Sequence, residues 1–309
     1  MAAGVITRGG FGKFLWPGMN STYAAEYKKY PEEYTELFSY NSSDKAYEED
    51  VGLTSLGLAP IKPENKGITY DSMSQGFVQR YAHIAYALGF IVSWEMWRDS
   101  QYRITNQMLR KPRALAYSLR QTKEHVAANV FNRGFNSAYT GADGLEMFSS
   151  VHPNQGGYGG TYRNELETPS DLSEKALEQA DIDIAGWTND RGLKIKVMPR
   201  KLAIPRQLKY EAERILKSPL RVGTANNDIN ALRNLGTFPE GYTINHYFTD
   251  ADAWFIITDC PDGLKYFDRD PDKFEQDDDF DTKNAKFSGY FRCSFGWTDA
   301  KGVFGSEGG

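Results

Sequence analysis

AKFSGYFRCSFGW, residues 285–297, is the stretch that decides the fold of this chain. Every odd position in it is apolar or small, whereas Lys286, Ser288, Arg292 and Ser294 occupy even positions. This alternation with a period of two predicts a half-buried β-strand. At ~3.3 Å per residue the strand would span about 43 Å, which is longer than most strands of globular proteins. An element of similar length must therefore cover its apolar face.

A long helix over residues 112–134 is the candidate for that cover. Its apolar residues recur at helical spacing: Leu115, Leu119, Val126 and Val130, with Ala127 and Phe131 widening the stripe. Pro112 suits a first helical turn, and Gly134 suits a C-terminal stop. The helix would run about 34 Å at ~1.5 Å per residue. A long helix on a long strand makes an elongated slab, a shape that suits a building unit better than an enzyme built around a pocket.

The composition is that of a globular protein of one or two domains, since 309 residues can bury a large core. No stretch approaches the ~20 apolar residues of a membrane span, and no signal sequence is evident, so we expect no membrane association. Cys260 and Cys293 are the only cysteines. Two cysteines are too few for a disulfide framework, and we expect both to be reduced thiols.

Charge and aromatic content favour protein partners over nucleic acid. The formal net charge of −5 argues against a dedicated nucleic-acid reader, which would carry a basic stripe or patch. Non-specific contact with DNA through a locally neutral surface stays compatible with this charge. Aromatic residues make up 14% of the chain, with 19 tyrosines, and such residues are enriched at protein interfaces.

Residues 1–46 are expected to form an extended arm with short helical pieces. Five aromatic side chains recur there every three or four positions: Tyr23, Tyr27, Tyr30, Tyr34 and Phe38. Pro31 must begin or break a helix within this run. The stripe cannot bury itself, so it packs either on its own domain or on a neighbouring subunit. Under the second alternative these residues, together with Trp16, are candidate inter-subunit contacts.

Glycine and proline residues at 47–71 predict a hairpin tip without a core of its own, with Lys62 and Lys66 at the turn. Residues 77–92 are rich in aromatic and β-branched types, which predicts a strand. Ser93 suits the N-cap of a short helix that would follow.

Residues 170–260 are predicted to form an α+β module. Ser173 suits an N-cap, and the helix after it has a clean apolar stripe. Alternation at residues 193–197 predicts a strand, and Pro205 is expected to open a further helix. Residues 243–258 are predicted to form two strands joined by a turn at 250–252.

No motif in the sequence points to catalysis or to a cofactor. His83, His125, His152 and His246 lie far apart, without the spacing of a zinc motif, and a structural role is expected for each. The segment around Gly12 and Lys13 is not a phosphate loop, because Thr7 stands where the first glycine belongs and Phe14 replaces the Ser or Thr. Gly156–Gly160 lacks the spacing of a dinucleotide fingerprint, and we expect a surface loop there.

An acidic run at 268–279 is the weak candidate for a metal site. Asp268, Asp270, Asp272 and Asp279 fall at the first, third, fifth and twelfth positions of a calcium loop. However, Lys273 stands where the turn glycine belongs, Pro271 stiffens the centre, and Asp279 replaces the bidentate glutamate. We therefore expect a solvated acidic loop without bound metal.

The middle of the chain carries a series of short runs: Phe131-Asn132-Arg133-Gly134-Phe135, Asp143-Gly144-Leu145, Met147-Phe148, His152-Pro153 and Lys201-Leu202-Ala203-Ile204-Pro205. In this order they resemble the major head subunits of Mu-like prophages and related tailed-phage major capsid proteins. The closing stretch from Arg292 to Phe304 is similar to the final strand of that family. The resemblance runs from Ile68 to the C-terminus and depends on the order of elements more than on any single motif.

The resemblance implies an α+β chain with the Hong Kong 97-type capsid fold. The expected parts are an N-terminal arm at 1–46, an extended loop at 47–80, a peripheral domain at 81–165 with its spine helix at 112–134, an axial domain at 166–261, and a return to the peripheral domain at 262–309 with the long strand at 285–297. Lys62 and Lys66 would lie in the loop that cross-links to Asn in some relatives, although nothing in this sequence indicates that chemistry.

The implied function is that of a major capsid protein, which forms pentamers and hexamers of an icosahedral shell around phage double-stranded DNA. Expected partners are further copies of the chain, a separate scaffolding protein, a portal and a decoration protein. The expected location is the virion, after assembly in the host cytoplasm. Two alternatives stay open: an encapsulin-type nanocompartment shell protein, and a metal-dependent hydrolase that uses the acidic loop at 268–279.

Overall fold

Two four-stranded sheets organise the molecule. The computed structural model describes residues 12–93, 106–157, 160–221, 228–279, 281–282 and 284–309, with backbone only at 12–17, 106–108, 157 and 278. The helices are α1 (Gly12–Tyr27), α2 (Asn106–Asn132), α3 (Glu174–Gly186), α4 (Lys209–Lys217) and α5 (Ala231–Leu235). The strands are β1 (Ser39–Ser42), β2 (Tyr47–Leu53), β3 (Gln75–Ala82), β4 (Ile84–Val92), β5 (His152–Pro153), β6 (Thr161–Tyr162), β7 (Pro199–Pro205), β8 (Tyr242–Asn245), β9 (Trp254–Thr258), β10 (Leu264–Asp278), β11 (Ala285–Trp297) and β12 (Val303–Ser306). The mixture confirms the α+β class.

The first sheet, called the long sheet here, has the strand order β1-β10-β11-β4. Its strand β11 occupies the residues that the alternation predicts, Ala285–Trp297. Phe287, Phe291 and Cys293 are buried on one face, whereas Lys286 and Ser288 are exposed on the other. The predicted long strand is therefore confirmed in its bounds, and its predicted face is confirmed from Ala285 to Cys293; beyond that point both faces are at least half-buried.

The spine helix α2 covers the apolar face of β11, as expected. Its buried residues include Leu115, Leu119, Ala127 and Phe131, which share one core cluster with Phe291. The predicted start at Pro112 is wrong, because the helix begins at Asn106 and Pro112 lies inside it. A proline inside a helix removes one backbone hydrogen bond, and here it is buried in the packed face.

The predicted single strand at 77–92 is two strands that belong to different sheets. β3 pairs with β2 in a separate two-stranded hairpin, while β4 pairs with β11 at the edge of the long sheet. The break falls at His83, whose ring is buried and lies 2.9 Å from Ser294 Oγ and 3.1 Å from Ser43 Oγ. The hairpin predicted at 47–71 is present, with β2 and β3 paired from Tyr47 opposite Ala82 to Leu53 opposite Gln75.

The acidic run at 268–279 is not a loop, because residues up to 278 belong to β10. β10 pairs with β11 along its length, with register shifts between Asp268 and Asp270 and between Asp270 and Lys273. These irregularities disturb the alternation that would have marked a strand in the sequence. The prediction of a solvated loop is corrected to a bulged strand.

The second sheet, called the short sheet here, has the strand order β12-β9-β7-β8. The predicted strand at 193–197 is wrong, because regular pairing begins at Pro199. β8 and β9 both pair with β7 and do not pair with each other. Ser173 caps α3 as predicted, since its side chain accepts from the backbone N–H of Ala176.

The C-terminus joins the short sheet. β12 pairs with β9 in antiparallel fashion, from Val303 opposite Ile257 to Ser306 opposite Trp254. Residues 303–306, which the prediction groups with the long strand, therefore lie in the short sheet. The short helix expected after Ser93 lies outside the described residues, as do Tyr158 and Gly159 of the glycine run at 156–160.

Candidate assembly surfaces

The aromatic arm packs mainly on its own subunit. Tyr23, Tyr34 and Phe38 are all at most 5% exposed and belong to the core beneath the spine helix. Tyr23 stacks on Phe274 at 4.5 Å between ring centroids. These three residues therefore have no exposed surface to offer a neighbour. Their assignment as inter-subunit contacts is corrected, because the spine helix and long sheet provide the apolar surface that they require.

Two arm residues differ from that core group. Tyr27 is half-buried against the same cluster, with the guanidinium of Arg120 5.7 Å from its ring centroid. Tyr30 is 41% exposed and meets Tyr117 edge-on at 5.6 Å. The side chain of Trp16 lies outside the described side chains. Of the tyrosines in the stripe, Tyr30 is the one that keeps a large surface for a partner.

Acidic residues fasten the arm to the spine helix. Arg120 lies 2.8 Å from Glu32 and 3.1 Å from Glu124. Glu124 accepts the backbone N–H groups of Glu33, at 3.1 Å, and Tyr34, at 3.2 Å. Burial raises the pKa of Glu124 to about 7, although the charge of Arg120 opposes that rise.

The same short segment also reaches the short sheet. The carboxylate of Glu33 accepts the backbone N–H of His246, and Glu33 Oε1 lies 2.7 Å from His246 Nδ1. Glu36 pairs with Lys201 at 2.7 Å. Residues 32–38, called the strap here, therefore tie the spine helix and the short sheet together. Sequence analysis missed the strap, although its glutamates stand beside the aromatic stripe.

The hairpin β2–β3 carries an apolar tip that its own subunit leaves uncovered. The large apolar side chains between the two strands are all exposed: Leu56, Leu58, Ile61, Ile68, Tyr70 and Met73, with Ile61 at 94%. The chain turns at Pro63–Lys66, where Asn65 has a φ of 58°. Lys62 and Lys66 are exposed beside this turn, as the sequence predicts. An exposed apolar tip of this size is typical of a protein–protein contact.

Strand β4 is a further apolar surface that sequence analysis missed. It lies at the edge of the long sheet, so one side of its backbone has no strand partner among the described residues. Ile84, Leu88 and Ile91 are each about half exposed or more. Natural proteins usually protect such edges with charge or proline, and β4 has neither. The sequence of β4 does carry an unbroken apolar run, but a strand that is covered on both faces has the same pattern.

Helices α4 and α5 carry a few exposed apolar side chains among charged ones. Tyr210 on α4 and Leu235 on α5 are more than 70% exposed, and Ile229 just before α5 is 68% exposed. The remaining residues of α4 are largely charged and form pairs within the helix, such as Lys217 with Glu213.

The four histidines have separate structural surroundings. His152 is buried, lies 2.5 Å from Asp143 through Nδ1 and stacks on Tyr162. His125 meets Tyr247 edge-on at 5.0 Å. His83 and His246 have the hydroxyl and carboxylate partners described above. The structure does not bring the four together.

Three of the candidate metal residues, Asp268, Asp270 and Asp272, lie along β10, and Asp279 follows its end. Asp272 accepts the hydroxyl of Tyr23 at 2.7 Å, and Asp279 pairs with Lys286 at 2.8 Å. Every second residue of an extended strand is roughly 7 Å from the next, so these carboxylates are spread along the strand and do not surround one point as the ligands of a calcium loop do. Within the described ranges, no group of three or more His, Cys, Asp or Glu side chains is placed to hold a metal ion.

Both cysteines are free thiols. Burial raises the pKa of each to about 12, so both stay protonated near neutral pH.

Among the described helices, none has both the length and the apolar character needed to cross a bilayer.

Comparisons with known proteins converge on viral shells. A family model described as phage capsid protein matches residues 78–305. A virus-like particle from Pyrococcus furiosus has a TM-score of 0.54 at 10% identity, with 94% of this chain and 98% of that chain covered. The capsid of Ralstonia phage GP4 has a TM-score of 0.53 at 9% identity, with 87% and 86% covered. The procapsid of bacteriophage JBD30 has a TM-score of 0.50 at 13% identity, with 97% and 76% covered.

At these identities the structural similarity shows a shared fold. No curated protein sequence matches the chain.

Proposed function

Because this chain belongs to the phage capsid protein family, we propose that copies of this major capsid protein form the pentamers and hexamers of an icosahedral shell around phage double-stranded DNA. The fold is of the Hong Kong 97 type. The role of the protein in the shell is structural, so the proposal requires no catalytic step. As a capsid protein the chain is part of the virion. Assembly in the host cytoplasm belongs to the proposal.

The observation that carries the proposal is the uncovered hairpin tip. Its large apolar side chains are all exposed, and Ile61 and Tyr70 are about nine-tenths exposed. A monomer would leave this surface in water, whereas a neighbouring copy would bury it at about 25 cal/mol per Å². Repeated heterologous contacts of this kind generate closed shells when the subunits are related by rotation.

Three further surfaces fit the same assembly. Tyr30 and the exposed ammonium groups of Lys62 and Lys66 are proposed inter-subunit contacts. The exposed apolar side chains on and beside α4 and α5 are proposed to lie near the symmetry axes, which would make residues 166–261 the axial domain. Around an axis, each copy would place the same patch against its neighbour.

The remaining partners follow from the task of a shell. We include a separate scaffolding protein, a portal and a decoration protein, together with non-specific contact with the packaged DNA. The net charge of −5 fits a lining that holds DNA loosely, because strong basic patches would bind it tightly.

Expression with and without a co-expressed scaffold, followed by sedimentation and electron microscopy, tests the proposal. We expect large closed particles with five-fold and six-fold capsomers in class averages. A stable monomer that persists at high concentration in the presence of scaffold would contradict the proposal.

Particle contents separate the alternatives. Packaged DNA in particles from infected cells supports the phage head, whereas an enclosed enzyme would indicate an encapsulin-type compartment. Metal-dependent turnover by the monomer would instead support the hydrolase.

A further inference from the structure

The apolar hairpin is fastened to its own subunit near the base of its tip. Asp190 is 4% exposed and accepts the backbone N–H of Ser55 with both carboxylate oxygens, each at 3.0 Å. Arg191 donates to the carbonyl oxygens of Ser55, at 3.2 Å, and Ser72, at 3.1 Å. It also lies 3.4 Å from Asp71. The two residues therefore hold the chain both where it leaves β2 and where it returns toward β3.

A third contact enters the hairpin between two glycines. The side chain of Gln155 accepts the backbone N–H of Phe77 at 2.8 Å. A Cβ at Gly52 would lie 2.4 Å from Gln155 Oε1, and one at Gly76 would lie 1.8 Å from it. Real side chains do not tolerate such distances, so glycine at both positions makes room for Gln155. We call Gln155, Asp190 and Arg191 the latch.

The latch residues Asp190 and Arg191 lie in a hydrogen-bonded turn that follows α3, beside the core of the short sheet. Asn189 holds this turn closed, because its Oδ1 accepts the backbone N–H groups of Arg191, at 3.0 Å, and Leu193, at 2.8 Å. Trp187, at the start of the turn, is buried in that core. A contact that stands on a fixed turn fixes the direction of whatever it holds.

We propose that the latch preorganises the hairpin tip for docking on a second copy of this chain. The inference rests on the proposed function, because it assigns a role to residues of this subunit in shell assembly. A free tip would sample many directions and would lose that freedom on docking, which weakens association. A latched tip has already lost it in the unassembled subunit. Asp190, Arg191 and Gln155 are therefore positioning residues that need no contact with the neighbour.

Hydrogen exchange on the unassembled subunit tests the latch directly. In Asp190→Ala and Arg191→Ala, we expect peptides covering residues 54–77 to exchange roughly tenfold faster than in the wild type, because the Ser55 amide and carbonyl lose their partners. Asp190→Asn keeps an acceptor oxygen and should fall between. Lys194→Ala is the matched control, because its ammonium donates to the carbonyl of Gly186 in the same turn. Unchanged exchange in both alanine variants would overturn the latch.

Assembly threshold is the second measurement. The lowest subunit concentration that yields shells should rise several-fold in the alanine variants, with an unchanged melting temperature of the unassembled subunit. Faster exchange with an unchanged threshold would overturn preorganisation. If the wild type forms no shells, the proposed function fails, and the exchange experiment still decides whether the latch holds. If Asp190→Ala has a lowered melting temperature and Arg191→Ala does not, the second variant decides the test, because the Arg191 side chain is 30% exposed.

Discussion

At the scale of single residues, Gly289 decides how closely the spine helix lies on the long strand. A Cβ there would lie 2.2 Å from Leu119 Cδ1 and 3.1 Å from the hydroxyl of Tyr23. Leu119 is itself buried and has little room to move aside. The absence of a side chain at one position of β11 therefore sets the distance between helix and strand.

Gly289→Ala should lower the stability of the unassembled subunit by about 1–3 kcal/mol through overpacking. Leu119→Ala alone should cost about 2–5 kcal/mol by leaving a cavity. Because the new methyl would partly fill that cavity, the double variant should be more stable than the sum of the two losses predicts. Thermal melting measures all three, with Ser288→Ala on the exposed face as the control. Additive losses would show that the two positions do not touch.

Glu124 is the residue from which a pH dependence follows. Burial raises its pKa in the folded subunit to about 7, above the ordinary value of 4.5. Its contribution to stability is therefore fully present below about pH 4.5 and is lost as the pH rises through about 7. The raised pKa corresponds to at most about 3 kcal/mol.

Glu124→Gln should remove this dependence while keeping an acceptor for the backbone of the strap. We expect the wild type to lose more melting temperature than the variant between pH 5 and pH 8. Parallel pH profiles for the two proteins would contradict the role assigned to Glu124.

At the scale of elements, the arm separates into a structural part and a surface part. Phe38→Ala should lower the stability of the unassembled subunit by about 3–5 kcal/mol, because its ring is buried against Phe131 and Phe295. Tyr30→Ala should leave the melting temperature nearly unchanged and raise the concentration needed for assembly. Melting and particle yield measure the two effects separately. A lowered melting temperature in Tyr30→Ala together with an unchanged one in Phe38→Ala would contradict the assignment.

How much the sequence predicts differs between elements for physical reasons. β11 is predictable to the residue because apolar or small side chains alternate with mostly polar ones along it, and the apolar face is buried from Ala285 to Cys293. β10 is not, because its bulges break the alternation and β1 pairs only with residues 265–268. The acidic side chains beyond that point therefore resemble those of a solvated loop. The start of the spine helix is hidden by Pro112, which usually marks a first turn.

The candidate surfaces follow the same division. The hairpin tip is predictable, since glycine, proline and exposed charge are local signals. The latch is not, because Asp190 and Ser55 are separated by 135 positions in the chain. The burial of Tyr34 and Phe38 likewise depends on distant residues such as Phe295. Local pattern shows that an aromatic stripe needs a cover, while only the tertiary structure shows which surface provides it.

At the scale of the whole molecule, the two sheets share one core. The cluster beneath the spine helix includes Ala203 and Phe255 of the short sheet and Val303 near the C-terminus. Phe131 at the end of the spine helix meets Phe255 at 5.1 Å between ring centroids. The two halves are thus joined by an apolar contact on the inside and by the strap on the outside.

Because the strap is held partly by charged groups, the stiffness of the joint between the two sheets should depend on salt concentration. Its outer links, Glu33 to His246 and Glu36 to Lys201, are partly exposed ion pairs or hydrogen bonds, and dissolved ions screen such links over about 10 Å at 0.1 M salt. Bending between the long-sheet and short-sheet parts of the subunit should therefore become easier as ionic strength rises. Subunits that bend more easily can form shells of more than one curvature. Shells grown in high salt should show a broader spread of diameters by electron microscopy than shells grown in low salt. The double variant Glu33→Gln with Glu36→Gln should show that broad spread at both salt levels, and a spread that is equally narrow in every case would mean that the apolar core alone governs the angle.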